Sequence, residues 1–248
     1  MPGPDLYPAR SRSAPQLTEV RAILLDIEGT TTPIEFVHQV LFPYARVHVR
    51  DHLDARDVGA LRAEYRAEPS TDGLPEWNSR DDVASAETYA HWLMDRDRKS
   101  TALKALQGRI WEAGYRSGDL TGKGEVYPDV RPALARWKKA RKDIAIFSSG
   151  SIQAQRNLFA NTTAGDLSLY LSAYFDTTTG PKREAGSYRK IATALRRTPR
   201  EVLFISDVTA ELDAARRAGM ETALCVRGQD REAAAGDHPR IRSFDELA

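Results

Sequence analysis

Four consecutive apolar residues, Ala22-Ile23-Leu24-Leu25, run straight into Asp26-Ile27-Glu28-Gly29-Thr30. A short run that is apolar at every position fits a strand buried on both faces, the setting of a parallel sheet. Similar runs recur at 144–147, 173–175 (a weaker one), 202–205 and 222–226. Helical stretches at 130–141, 151–160, 187–197 and 209–218 separate them, and the last meets Gly219, a residue suited to a helix C-terminus. Strands alternating with helices predict an α/β fold, a doubly wound parallel sheet with right-handed crossovers. The first strand lies far upstream of the others. Residues 34–66 and 81–116 show helical spacing, with a kink or restart expected at Pro43 and a loop over 67–80. The predicted organisation is a flexible tail at 1–18, an α/β core from 19–33 and 126–248, and an inserted helical cap domain at 34–125.

The strand ends carry the chemistry. In open parallel sheets, ligands bind at the carboxyl edge. The first strand delivers Asp26 and Glu28 there, the second Ser148-Ser149-Gly150, and the fourth Ser206-Asp207 with Glu211 a turn later. Lys182, in Gly180-Pro181-Lys182, precedes a helix. Taken singly, each has a plain structural reading: a polar turn, a solvated charge or a helix cap. Together they assemble a carboxylate nucleophile, a second acid, hydroxyl donors, a cation and a third acid. That set suits phosphoryl transfer through an aspartyl phosphate, with Mg²⁺ held by oxygen ligands. A helix starting near Ser151 adds backbone N–H groups for phosphate oxygens.

These motifs resemble those of the haloacid dehalogenase-like (HAD) phosphatases, whose four motifs match Asp26 to Thr30, Ser148, Lys182 and Asp207. Their usual second acid is Asp; here it is Glu28. That exchange, with Asp26 to Ile34, Phe36-Val37 and Leu41 to Ala45, looks like the enolase-phosphatases, or acireductone synthases, of methionine salvage. The segments 126–130, 147–151, 175–177 and 187–192 support the same likeness, which spans roughly residues 20–228. It implies a HAD-like Rossmannoid core and a bifunctional hydrolase of methionine biosynthesis. The substrate implied is 5-methylthio-2,3-dioxopentyl phosphate, enolised and then dephosphorylated to an acireductone. It further implies Asp26 as nucleophile, Asp26, Glu28 and Asp207 at the magnesium ion, Glu28 and Lys182 as catalytic groups, and Ser148, Ser149 and Lys182 on the substrate phosphate. The sequence departs from the likeness at Gln229, where a proline is expected after Val226-Arg227-Gly228.

Composition narrows the remaining choices. A net charge of +1 over 248 residues excludes the basic excess of a general nucleic-acid binder. No apolar run is long enough to cross a membrane. The lone cysteine, Cys225, cannot form an internal disulfide, so a cytoplasmic protein is expected, with Cys225 as a buried apolar residue. The partner is a small-molecule phosphate, and the chain is expected to act as a monomer. Other readings are a Mg²⁺-dependent phosphatase for another small phosphate ester, a dehalogenase, and a non-catalytic phospho-ligand-binding module. Asp129 reads as the N-cap of the helix that follows it, and Trp77, Trp92 and Trp111 read as cap core. His48 and His52 sit one helical turn apart without a third metal ligand in view.

Overall fold

The computed structural model describes residues 17–69, 72–228 and 237–247. The tail reading for 1–16 and the question raised at Gln229 lie outside these residues, whereas Leu17 is buried in the core. Six strands form one parallel sheet among the described residues: β1 (Ala22–Leu25), β2 (Asp143–Phe147), β3 (Ala173–Phe175), β4 (Val202–Ser206), β5 (Glu221–Cys225) and β6 (Arg240–Ile241). Their spatial order is β3-β2-β1-β4-β5-β6. β1 is therefore central, pairing Ala22 with Asp143 on one side and Val202 on the other.

Side chains on successive strand residues point to opposite faces, and β1 shows the consequence. Ile23 and Leu25 join one hydrophobic core, while Ala22 and Leu24 join the other. The first core is covered by α6 (Val130–Lys139) and α7 (Ile152–Ala160), with Trp137 and Phe159 fully buried. The second is covered by α8 (Ala185–Ala194) and α9 (Thr209–Arg217). Burying a side chain such as Leu24 or Ile23 contributes about 1.5–3 kcal/mol, and both are fully inaccessible.

Between β1 and β2 the chain builds α1 (Ile34–Phe36), a turn of π-helix (Val37–Leu41), α2 (Phe42–His52), α3 (Ala55–Ala67), α4 (Asp82–Asp95) and α5 (Thr101–Ser117). Helices α2 to α5 share a core of their own, including Val49, Leu61, Tyr89, Leu106 and Ile110. The expected helical run over 34–66 is divided at Leu53-Asp54, because Asp54 and Asp57 form a reciprocal capping box that starts α3. Pro43 lies in the first turn of α2, just after the π-helical turn, where its missing N–H costs least. The run over 81–116 also divides, since Ser100 caps α5 by accepting from the Leu103 N–H.

Asp129 does not cap α6. Its carboxylate instead accepts from Arg227 Nη1 at 2.7 Å, the Phe244 N–H at 2.6 Å and Ser243 Oγ at 3.1 Å. A charge-assisted bond to a buried guanidinium outcompetes a neutral N–H. Arg227 also donates through Nε and Nη2 to the Thr30 carbonyl, and stacks between Tyr127 and Phe244. The C-terminal segment is thereby tied to the residue just beyond Asp26 to Gly29. Cys225 is buried, and its thiol is pushed up to about 12, mainly by that burial.

His238 illustrates a second buried polar cluster. Arg216, which can only donate, lies 2.5 Å from Nδ1, and Thr222 Oγ1 is 2.9 Å from the same atom. Nε2 faces Asp213 at 3.0 Å. The ring is therefore neutral, with its proton on Nε2. Burial, followed by the charge of Arg216, lowers its pKa despite the opposing hydrogen bond to Asp213. The unfolded chain takes up this proton near pH 6.5, before the folded chain does. Stability from this group is thus complete above that pH and falls as the solution is acidified below it. Denaturant titrations from pH 7.5 to 5 should show a decline that His238→Gln flattens.

Candidate active site

All strands of the sheet point the same way, so their carboxyl ends share one edge. Asp26 follows β1, Ser148 follows β2, Asp176 follows β3 and Asp207 follows β4. Asp26, Glu28, Ser148, Ser149, Lys182, Asp207 and Glu211 line one open cleft along that edge. The residues singled out from the sequence are brought together there.

Asp26 is held at every side-chain oxygen. Oδ1 accepts from Lys182 Nζ at 2.7 Å and from the Ile27 N–H at 2.8 Å. Oδ2 accepts from Ser206 Oγ at 2.8 Å. The side chain is nearly buried and its orientation is fixed by groups from three segments. Ser206 had no assigned role in the sequence, although its position before Asp207 at a strand end was visible. Lys182 also contacts Glu211 at 2.6 Å, so one ammonium bridges two carboxylates. Burial lowers the pKa of Lys182, but Asp26 and Glu211 outweigh it and hold the ammonium above its ordinary value. Glu211 is pushed up to about 7, first by burial and then by the charge of Asp26.

Glu28 lies at the mouth of the cleft, open to solvent on one side and crowded by protein on the others. Desolvation by those walls, then the charge of Asp26, raises its carboxyl pKa, with Asp207 adding to the effect. A carboxyl shifted upward in this way is suited to taking up and returning a proton. Gly29 between the acids has φ +70°, and a Cβ there would collide with the Asp207 carboxylate. Glycine is required on both counts.

The phosphate-binding expectation rests on the turn between β2 and α7. Ser148 Oγ accepts from the Gly150 N–H at 3.2 Å, which leaves its own proton to donate. Ser151 caps α7 by accepting from the Ala154 N–H, and Gln155 donates to the Gly150 and Phe175 carbonyls. Asp176 accepts from the Ile152 N–H at 3.3 Å and from Thr178. These bonds fix a turn at the positive end of a helix, a favourable place for an anion.

A second cavity adjoins the cleft and shares Glu28, Ser148 and Ser149 with it. It encloses about 880 Å³ including its open mouth. Its walls are mainly apolar, with Val37, Leu41, Phe42, Trp111 and Leu158 among them. Trp111 is thus a wall of this cavity as well as a half-buried packing residue. Its Nε1 donates to the Leu41 carbonyl at 2.8 Å, at the end of the π-helical turn, and its ring stacks on Phe42. Turns of π-helix often mark functional sites because they leave backbone groups for other partners.

A magnesium ion takes hard oxygen ligands. Four carboxylates, Asp26, Glu28, Asp207 and Glu211, line the cleft together with Lys99, Lys182 and Arg183, and they supply hard oxygen donors. Among the described residues, no three His, Cys, Asp or Glu side chains form a metal cage. Asp26, Glu28 and Asp207, the residues expected at the metal with Glu28 through its side chain or its backbone carbonyl, lie together along the cleft. The arrangement fits the usual way Mg²⁺ is held, by one or two carboxylates with the remaining oxygens from water and substrate phosphate.

A profile of the haloacid dehalogenase-like hydrolases matches residues 20–219. Enolase-phosphatase E1 of Synechococcus elongatus is 52% identical over 241 residues, covering 94% of this chain and all of that protein. The chain belongs to the haloacid dehalogenase-like hydrolases, and within them to the enolase-phosphatases. The enolase-phosphatase E1 of Sorangium cellulosum is 48% identical over 92% of this chain and 97% of its own length. Among solved structures, the UTR4 protein of Saccharomyces cerevisiae superposes with a TM-score of 0.71 at 33% identity, covering 92% of this chain and 100% of that one. Membership of the enolase-phosphatases agrees with the six-stranded parallel fold and with an acid pair in which Glu28 replaces the common Asp.

Proposed function

We propose that this protein is a bifunctional enolase-phosphatase of methionine salvage, acting in the cytoplasm as a monomer. It converts 5-methylthio-2,3-dioxopentyl phosphate into 1,2-dihydroxy-5-(methylthio)pent-1-en-3-one and phosphate. The observation that carries the reading is the continuity of the two cavities. A clamped aspartate and a phosphate-binding turn open directly onto an apolar chamber, with Glu28 at the junction. A phosphorylated head and a thioether tail need that combination. The segment 34–125 acts as the cap, since it supplies the apolar wall.

In this reading the phosphate sits against Ser148, Ser149 and Lys182. Glu28 takes a proton from C1, and the resulting enediol phosphate remains in place. Asp26 then attacks phosphorus through a carboxylate oxygen. Lys182 offsets the repulsion between that carboxylate and the phosphate dianion. Once the C1 proton has passed to the C2 oxygen, Glu28 takes up another from solvent, protonates the departing enol oxygen with it and afterwards activates water against the aspartyl phosphate. Ser206 holds Asp26 in its attacking orientation throughout. Mg²⁺ would be held by Asp26 and Asp207 and, when bound, supplies charge neutralisation at the transferring phosphoryl group.

The test is to incubate the full chain with the diketo phosphate and Mg²⁺, following enol absorbance and phosphate release together. The expected result is a transient enol preceding phosphate, with both lost on adding EDTA and regained on restoring Mg²⁺. Phosphate release with no enol at any time would overturn the enolase half. Activity indifferent to EDTA would overturn the role of the metal.

A further inference from the structure

Lys104 stands on α5, within the segment that covers the site, yet it reaches the core. Its Nζ donates to the Ser149 carbonyl at 2.6 Å, and Thr177 Oγ1 lies 3.5 Å away. Both acceptors belong to loops at the carboxyl edge of the sheet. The Ser100 cap and the packing of α5 against α7 set the position of its stem. Among the described residues it forms no ion pair, and it is the one cation lining the apolar chamber. Lys182, by contrast, is already engaged with Asp26 and Glu211.

Its place coincides with a need of the first chemical step. Removing a proton from C1 sends the C–H electron pair into a new C1=C2 bond. The carbonyl π pair then moves onto the C2 oxygen, where negative charge builds up beside a phosphate dianion. The C2 carbonyl is separated from the phosphorus by only the ester oxygen and C1. A phosphate anchored at Ser149, with the carbon chain running toward the apolar chamber, brings the C2 and C3 oxygens past the group that touches the Ser149 carbonyl. A fixed ammonium at that point stabilises charge that appears only as the proton leaves, which is the interaction that lowers a barrier.

We propose that Lys104 is a catalytic residue of the enolisation, its ammonium stabilising the developing enolate oxygen on C2 while Glu28 holds the C1 proton. Return of that proton to the oxygen gives the neutral enol, so the step is an isomerisation and needs no further reactant. The proposal rests on the enolase-phosphatase reading above. It assigns the enolisation to a cation from the cap segment, whereas phosphoryl transfer relies on Lys182 from the core.

Lys104→Gln and Lys104→Arg test it, with two substrates. Enol formation from the diketo phosphate is measured beside phosphate release from phenyl phosphate, which has no carbonyl to enolise. Lys104→Gln should lower enol formation about 10²-fold, at least tenfold more than it lowers phenyl phosphate hydrolysis. Lys104→Arg should restore most of the loss by returning the charge. Equal losses with both substrates would make Lys104 a simple latch on the Ser149 turn and overturn the proposal, as would undiminished enol formation in Lys104→Gln. If the unaltered protein hydrolyses phenyl phosphate but forms no enol, the reaction assigned in the preceding subsection fails, and this proposal with it. Lys104 is exposed, and equal thermal melting of both variants and the parent confirms that folding is intact.

Discussion

Asp26→Asn is expected to lower phosphate release at least a thousandfold, the scale of losses seen when a covalent nucleophile is removed. The reason lies in the atoms around it. Asn is isosteric with Asp, so its Oδ1 can still accept from Lys182 and its Nδ2 can donate to Ser206 Oγ, keeping both contacts present in the native site. The amide cannot form an acyl phosphate as a carboxylate can. Circular dichroism should therefore match the parent while phosphate release disappears. Enol formation should survive in part, because Glu28 and Lys104 are unaltered. That partition separates loss of the nucleophile from general damage to the site. Comparable loss of enol and phosphate would indicate that Asp26 serves both steps.

Lys182→Met should produce the largest loss of stability of any single replacement in the cleft. Lys182, Asp26 and Glu211 have side chains only 10%, 7% and 12% exposed, so the three charges are largely removed from water. Removing the ammonium leaves two buried carboxylates facing each other with no counter-charge. Breaking a buried ion pair in this way costs about 3–5 kcal/mol. Methionine fills most of the volume of the lysine stem, so little of the effect comes from a cavity. Urea unfolding should show the midpoint shifted down by that free energy divided by the slope, with the slope itself unchanged. Lys182→Met/Glu211→Gln should recover part of it, because one of the two unpaired charges is gone. No recovery in the double variant would mean that the loss comes from the stem's packing and not from electrostatics.

The central strands were legible in the sequence because they are buried on both faces and so read as unbroken apolar runs. β1, β2, β4 and β5 all have this character. β6 was not, because Arg240–Ile241 offers two residues and no pattern. The acids and hydroxyls at the strand ends were legible because topology alone places them on a common edge. Groups whose role depends on a distant partner were not. Asp129 carries the local signature of a cap, but the partner that claims its carboxylate, Arg227, is 98 residues away. Lys104 is one lysine on an amphipathic helix, and only the packing of α5 over the core brings it to Ser149. Ser206 reads as the polar end of a strand until its hydroxyl is seen to donate to Asp26. The break at Leu53-Asp54 could have been found, since Asp54 and Asp57 have capping-box spacing ahead of an apolar repeat.

The replacement of Asp by Glu at position 28 belongs with these observations. The added methylene carries the carboxyl to the boundary between the phosphate cleft and the apolar chamber, where Glu28 lines both. Under the proposed function, the longer side chain would serve the leaving oxygen beside phosphorus and also reach toward C1.

The proposed phosphoryl transfer turns on a carboxylate at position 26 that becomes phosphorylated. The direct measurement is an acid quench of the protein during turnover of ³²P-labelled diketo phosphate, followed by peptide mapping of the acid-stable label. Label confined to the peptide containing Asp26, absent from Asp26→Asn and discharged by hydroxylamine, is the predicted result. Label on a different residue, or phosphate still released by Asp26→Asn at the parent rate, would contradict it.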